Sequence, residues 1–171
     1  MKLDNAIRMA LEYETGVHKA YSDATTKASD PSAKRILEVL AEEEMGHIKY
    51  LHERLEEWQA TGKINVKKLE TSIPTKEVIN RSLQELRKTV KPKATRLNPE
   101  LELLNKALKA EVKTSNFYKD MVSKLDGDGR ELFKRFVEIE QGHEAMVQAQ
   151  IDSVSGLGVF LDTLEFGLEV E

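Results

Sequence analysis

Two stretches of this chain place a carboxylate and an imidazole three residues apart, Glu44-Met45-Gly46-His47 and Glu140-Gln141-Gly142-His143. On a helix, residues at that spacing project from one face, so each pair can close on a single metal ion. The chain has four histidines, and two of them occupy this setting. A lone Glu three before a His is a weak signal; matching surroundings make it a stronger one. Sliding the chain on itself by 96 or 97 residues lays Ala10, Leu11 and Glu14 over Ala107, Leu108 and Glu111. Tyr21 then falls on Tyr118, Asp30 on Asp126, Leu40 on Phe136 and Glu42 on Glu138, and the two Glu-x-Gly-His stretches coincide. An internal repeat of this kind points to two copies of one supersecondary unit.

The candidate ligands are therefore Glu14, Glu44, His47, Glu111, Glu140 and His143. Four carboxylates and two neutral imidazoles carry about four negative charges. Gathered in a protein interior, such charges must be paired or neutralised, and two divalent cations balance them. An oxygen-rich set with some nitrogen suits iron or manganese better than soft copper or thiolate-bound zinc. Carboxylates can also bridge two ions, holding them close enough to act together on one dioxygen or peroxide molecule.

The elements that must position these residues are helices. Leu3, Ile7, Ala10, Leu11, Val17, Ala20, Tyr21 and Ala24 describe one amphipathic helix over about 3–28. Asp30-Pro31 reads as an N-cap and a first-turn proline, opening a second helix to about Gln59 with Ile36, Leu37, Leu40, Ile48, Leu51 and Leu55 inward. Gly62, Pro74, Pro92 and Pro99 punctuate the crossover connection 61–98, in which only about Val78 to Val90 reads as helix. Its basic cluster (Arg87, Lys88, Lys91, Lys93 and Arg96) reads as a solvated face. A third long helix spans about Pro99 to Lys124, the turn Asp126-Gly127-Asp128-Gly129 ends it, and a fourth covers about Arg130 to Val154. Ser155-Gly156-Leu157-Gly158 is expected to stop that helix, and the tail 156–171 to pack on the bundle through Phe160, Leu161, Leu164, Phe166 and Leu168.

In an antiparallel hairpin, residues equidistant from the turn lie level. Glu14 is 16 residues before Asp30, and Glu44 and His47 are 14 and 17 after it. Glu111 is 16 before Gly127, and Glu140 and His143 are 13 and 16 after. All six can fall in one layer of an all-α, four-helix bundle made of two hairpins with a long crossover.

Composition bounds the rest. At 171 residues with 40% hydrophobic and 33% charged residues, the chain fits a single domain, 1–171. A net charge of −4 gives no reason to expect nucleic acid or an anionic membrane as partner. Cysteine is absent, which removes disulfides, thiol nucleophiles and Cys-ligated iron–sulfur centres within the chain. No signal-peptide pattern or membrane-length apolar run is present, so a cytoplasmic protein is the expectation.

This pattern resembles the rubrerythrin branch of the ferritin-like di-iron carboxylate proteins over roughly residues 3–154. The Glu plus Glu-x-x-His arrangement is that superfamily's general signature. The resemblance implies two iron ions, with Glu44 and Glu140 bridging, Glu14 and His47 completing one and Glu111 and His143 the other; manganese or mixed occupancy is an alternative. It implies that Tyr21 and Tyr118 hold carboxylates in place. It also implies an oxidoreductase that reduces hydrogen peroxide or dioxygen in oxidative-stress defence, with a homodimer expected and hairpin exchange between chains open. Without cysteine, the electrons must come from an external, rubredoxin-type donor. Thr114 stands where rubrerythrins carry an extra Glu that takes part in a redox-linked shift of one iron. Iron handling by a ferroxidase, and a metal-stabilised helical binding module without turnover, are the alternatives.

Other residues draw blander readings. His18, with Ser115 as its repeat counterpart, and His52 are expected outside the site, and Trp58 to pack. Glu42 and Glu138 are expected on helix flanks. Gly46 and Gly142, each just before a His, suggest a need for space or backbone freedom, since glycine inside a helix costs about 1 kcal/mol relative to alanine.

Overall fold

Asp30 starts a helix as its position predicts. Its Oδ1 accepts from the N–H groups of Ser32 and Ala33 at 2.8 and 2.9 Å, and Pro31 follows at the first helical position, where a missing N–H is harmless. This helix, α2, spans Pro31–Thr61 and follows α1, Leu3–Lys27. The shorter α3 covers Lys76–Thr89, α4 covers Pro99–Lys124, and α5 covers Gly127–Leu157. The computed structural model describes residues 1–92 and 99–162, among which all regular structure is helical.

Packing follows the apolar stripes. α1 lies along α2 and α4 along α5, α1 also packs on α4, and α3 lies on α5. The result is a helical bundle whose core has two apolar parts. One gathers Val17, Tyr21, Ile36, Leu40, Leu104 and Met146; the other gathers Ile7, Leu51, Tyr118, Met121, Phe133 and Phe136. On every long helix the candidate ligands fall between the residues of these two parts. No described helix is long and apolar enough to cross a membrane.

Two boundaries differ from expectation. The second turn is shorter than Asp126 to Gly129, because α5 already begins at Gly127. Only Leu125 and Asp126 separate α4 from α5, and Gly127 makes the reversal at φ 55°, a conformation that favours glycine. At the other end α5 runs through Ser155 and Gly156 to Leu157. The stop comes at Gly158, whose φ of 68° lets its N–H reach the Val154 carbonyl; the left-handed cap, not the first Ser-Gly pair, ends the helix.

The stretch after α2 has no periodicity but is well held. Tyr50 Oη donates to the Lys67 carbonyl at 2.6 Å, and Arg135 Nε to that of Leu69 at 2.8 Å. Ile64, Leu69 and Ile73 are buried. Arg87, Lys88 and Lys91 are exposed, while Lys93 and Arg96 lie outside the described residues. Gln150 clasps Leu161 on both its N–H and carbonyl, at 3.0 and 2.9 Å, and Arg35 Nε donates to Asp162 at 3.1 Å. The expected contacts of Leu164, Phe166 and Leu168 lie outside the described residues.

Candidate metal centre

The repeat places its acids and imidazoles at one depth. Glu14 comes from α1, Glu44 and His47 from α2, Glu111 from α4, and Glu140 and His143 from α5, and each is at most 1% exposed. They form two overlapping quartets. Glu14, Glu44, His47 and Glu140 offer ligand atoms within 4.8 Å of one another, and so do Glu44, Glu111, Glu140 and His143. Glu44 and Glu140 belong to both. The two imidazole rings stack, with centroids 5.2 Å apart and planes 12° off parallel.

Each histidine turns Nδ1 toward the acids. His143 Nδ1 lies 2.7 Å from Glu44 Oε1, and His47 Nδ1 lies 3.2 Å from Glu14, 3.3 Å from Glu44 and 3.6 Å from Glu140. The tyrosines act across the hairpin boundary: Tyr21 on α1 donates to Glu111 on α4, and Tyr118 on α4 donates to Glu14 on α1. Phe136 closes the layer on one side, edge-on to His47 at 5.4 Å and stacked on Tyr118 at 4.8 Å.

The electrostatics are those of an overcrowded interior. Burial, then the charge of Glu44, pushes Glu14 up to about 8. Burial and the charges of Glu111, Glu14 and Glu44 hold Glu140 well above the ordinary carboxylate range. Burial opposes a charged His47, but Glu44 and Glu14 outweigh it and raise the ring to about 10. His143 is raised likewise, chiefly by Glu44 against burial. Glu44 goes the other way, because His47, Glu14 and His143 stabilise its charge against burial. Without cations, the cluster thus holds protons that a free set of these groups would release at neutral pH.

Several buried polar atoms here lack a hydrogen-bond partner, among them both oxygens of Glu140, Glu44 Oε2, Glu111 Oε2, and Nε2 of His47 and His143. Buried groups of this kind are normally satisfied. A donor set of carboxylates and imidazoles with orphaned atoms in two compact quartets fits divalent cations, so the buried Glu/His groups can hold metal.

Glu43 belongs to this neighbourhood, although the repeat gives no hint of it. It lies 3.5 Å through Oε2 from His143 Nε2 and accepts from the Thr71 hydroxyl at 2.6 Å, the Ser72 N–H at 2.8 Å and the Ser72 hydroxyl at 2.6 Å. Burial works against its charge, but the neighbouring His143 imidazole and the bonds from Ser72 and Thr71 hold it down at about 2. The available signal was its place four residues before His47, on the same helix face.

The glycines divide. A Cβ on Gly142 would sit 3.0 Å from the Pro74 carbonyl oxygen, so space is needed there. A Cβ on Gly46 would meet nothing within 4 Å and its φ is not positive, so the expected need for space or backbone freedom is not met there; Gly46 lines a cavity. His52 is exposed and His18 half-buried, and neither joins a metal-capable group among the described residues. Glu42 and Glu138 are exposed, Glu138 paired with Arg135 at 3.0 Å, and Trp58 packs against the core around Leu51 and Phe133. Thr114 is buried, its hydroxyl donating to the Ala110 carbonyl at 3.0 Å.

No protein-family model, no curated protein and no solved structure matches the chain.

Proposed function

We propose that this chain is a ferritin-like, rubrerythrin-type di-iron protein that reduces hydrogen peroxide or dioxygen with electrons from an external donor. The observation that supports it most is the sharing of Glu44 and Glu140 between the two quartets, as bridging carboxylates require. In this reading Glu14 and His47 complete one ion and Glu111 and His143 the other. α1 and α2 form one ferritin-like hairpin, α4 and α5 the other, and the segment carrying α3 is the crossover. Two ferrous ions would supply two electrons to peroxide, which with two protons gives two waters, and the donor restores them.

The chain's own residues set the conditions. Tyr21 and Tyr118 fix the two outer carboxylates at one oxygen each, leaving the other oxygens directed by the helices. The aromatic wall of Phe133, Phe136 and Tyr118 excludes water on one side and strengthens the field of the acids. Protons held on Glu14, Glu140 and the imidazoles must leave when cations arrive, as for any site whose ligands bind deprotonated.

Thr114 favours a second reading, oxidation of ferrous iron for iron handling, because its hydroxyl is committed to Ala110 and no carboxylate stands there. One experiment separates the two. Load the chain anaerobically with iron(II), count the retained ions, and then follow iron(III) absorption through alternating peroxide and reductant. Two ions per chain with repeated recovery and bleaching are expected; uptake of many ions selects iron handling, and failure to retain iron rejects both.

A further inference from the structure

A cavity of about 200 Å³ opens beside α2, lined by Glu42, Glu43, Gly46, His47, Glu70 and Ser72 together with two apolar residues. His47 alone among its walls belongs to the buried centre, and its Nε2 is buried without a hydrogen-bond partner. Because His47 Nδ1 faces Glu14, Glu44 and Glu140, its Nε2 lies on the opposite edge of the ring. His143 is oriented the same way, with Nδ1 on Glu44 and Nε2, which makes no hydrogen bond, in ion-pair contact with Glu43 at 3.5 Å. An imidazole whose Nδ1–H is kept by the acids takes a cation through Nε2, giving up the Nε2 proton as the ion arrives. Glu43, His47 and His143 also offer ligand atoms within 4.8 Å of one another, a third group beside the two quartets.

We infer that Glu43, His47 and His143 form a receiving position for an incoming divalent cation, reached through the cavity over Gly46. The inference rests on the proposed metal centre and adds the route by which it fills. Glu42 and Glu70 give the mouth the sign that concentrates cations. Glu43, anchored by Thr71 and Ser72, stands one helical turn before His47. Gly46 leaves the way open, since any side chain there would project into unfilled space.

The test uses cobalt(II) and the full-length chain free of metal. Stopped-flow absorption gives the rate at which cobalt reaches the centre, and metal analysis after dialysis gives the number retained. Glu43→Gln and Gly46→Leu are each expected to slow loading on the order of tenfold while two ions per chain are still retained and helix content is unchanged. Wild-type rates in both variants, with two ions bound, would overturn the route and leave the metal centre standing. Loss of retained cobalt in Glu43→Gln would make Glu43 a resident ligand and overturn its receiving role. A wild-type chain that retains no cobalt would remove the centre itself and the route with it.

Discussion

Tyr118 holds an acid that belongs to the other hairpin: its hydroxyl donates to Glu14, 104 residues of chain and one helix pair away, and Tyr21 returns the arrangement on Glu111. Tyr118→Phe leaves a buried carboxylate oxygen without a donor, which costs about 1–3 kcal/mol. The metal-free variant should lose that much stability in urea unfolding. Its affinity for cobalt should fall roughly 10–100-fold. Unchanged affinity would reduce the tyrosine to a packing role.

The pH dependence of the metal-free protein has a definite sign. His47 is raised from 6.5 to about 10, so its contribution is full below 6.5 and lost as pH climbs through 10. Glu14, raised from 4.5 to about 8, also gives up stability as pH climbs, because the folded chain keeps a proton the unfolded chain has released. Glu43, held at about 2, acts oppositely and only in acid, losing its contribution as pH falls below 4.5. The thermal midpoint without metal should therefore drop from neutral to alkaline pH. Cation affinity should rise over the same range, since protons no longer compete. A flat midpoint in metal-free protein contradicts the proton-filled cluster.

Both oxygens of Glu140 are buried without a hydrogen-bond partner, which makes the residue a burden on the metal-free fold. Glu140→Met removes that group at similar volume and should stabilise the metal-free chain by about 1–3 kcal/mol while abolishing retention of two ions. Differential scanning calorimetry and metal analysis read the two effects together. A loss of stability in the variant would assign Glu140 a structural role instead.

Gly46 and Gly142 should respond in opposite directions to one methyl group. Gly46→Ala adds helix propensity in open space and should stabilise by about 0.5–1 kcal/mol. Gly142→Ala drives a Cβ to 3.0 Å from the backbone oxygen of Pro74 and should cancel that gain or reverse it. Urea midpoints of the two variants give the comparison.

Thr114→Glu adds an acid one turn after Glu111, where Thr114 is buried beside Gly16, Val17 and Ala110 at the wall of a groove of about 390 Å³. If the absent carboxylate limits peroxide turnover, the variant should be faster in a coupled peroxide-reduction assay. An equal rate removes that explanation.

Much of this arrangement is legible in the sequence, and for a physical reason. Helical periodicity located Ile7, Leu40, Met121 and Phe136 in the core, and counting outward from two short turns put Glu14, Glu44, His47, Glu111, Glu140 and His143 at one depth. Both devices work because a helix has a fixed rise and a fixed angular step. What they cannot reach is non-periodic or non-repeated. Glu43 overlies Ile139 in the repeat, so comparison of the halves hid it. The different surroundings of Gly46 and Gly142 depend on Pro74, which lies in the irregular stretch between α2 and α3. Neither the approach of Leu69 and Pro74 to α5 nor the cavity beside α2 has a local sequence pattern.

The exchange of tyrosines between hairpins bears on symmetry. Two separate copies of one hairpin, docked face to face, would already hold every acid, imidazole and phenol of this layer, but they would be obliged to carry identical residues on both sides. Joining the copies in one chain lifts that obligation, so a single side can be opened to solvent while its twin stays sealed.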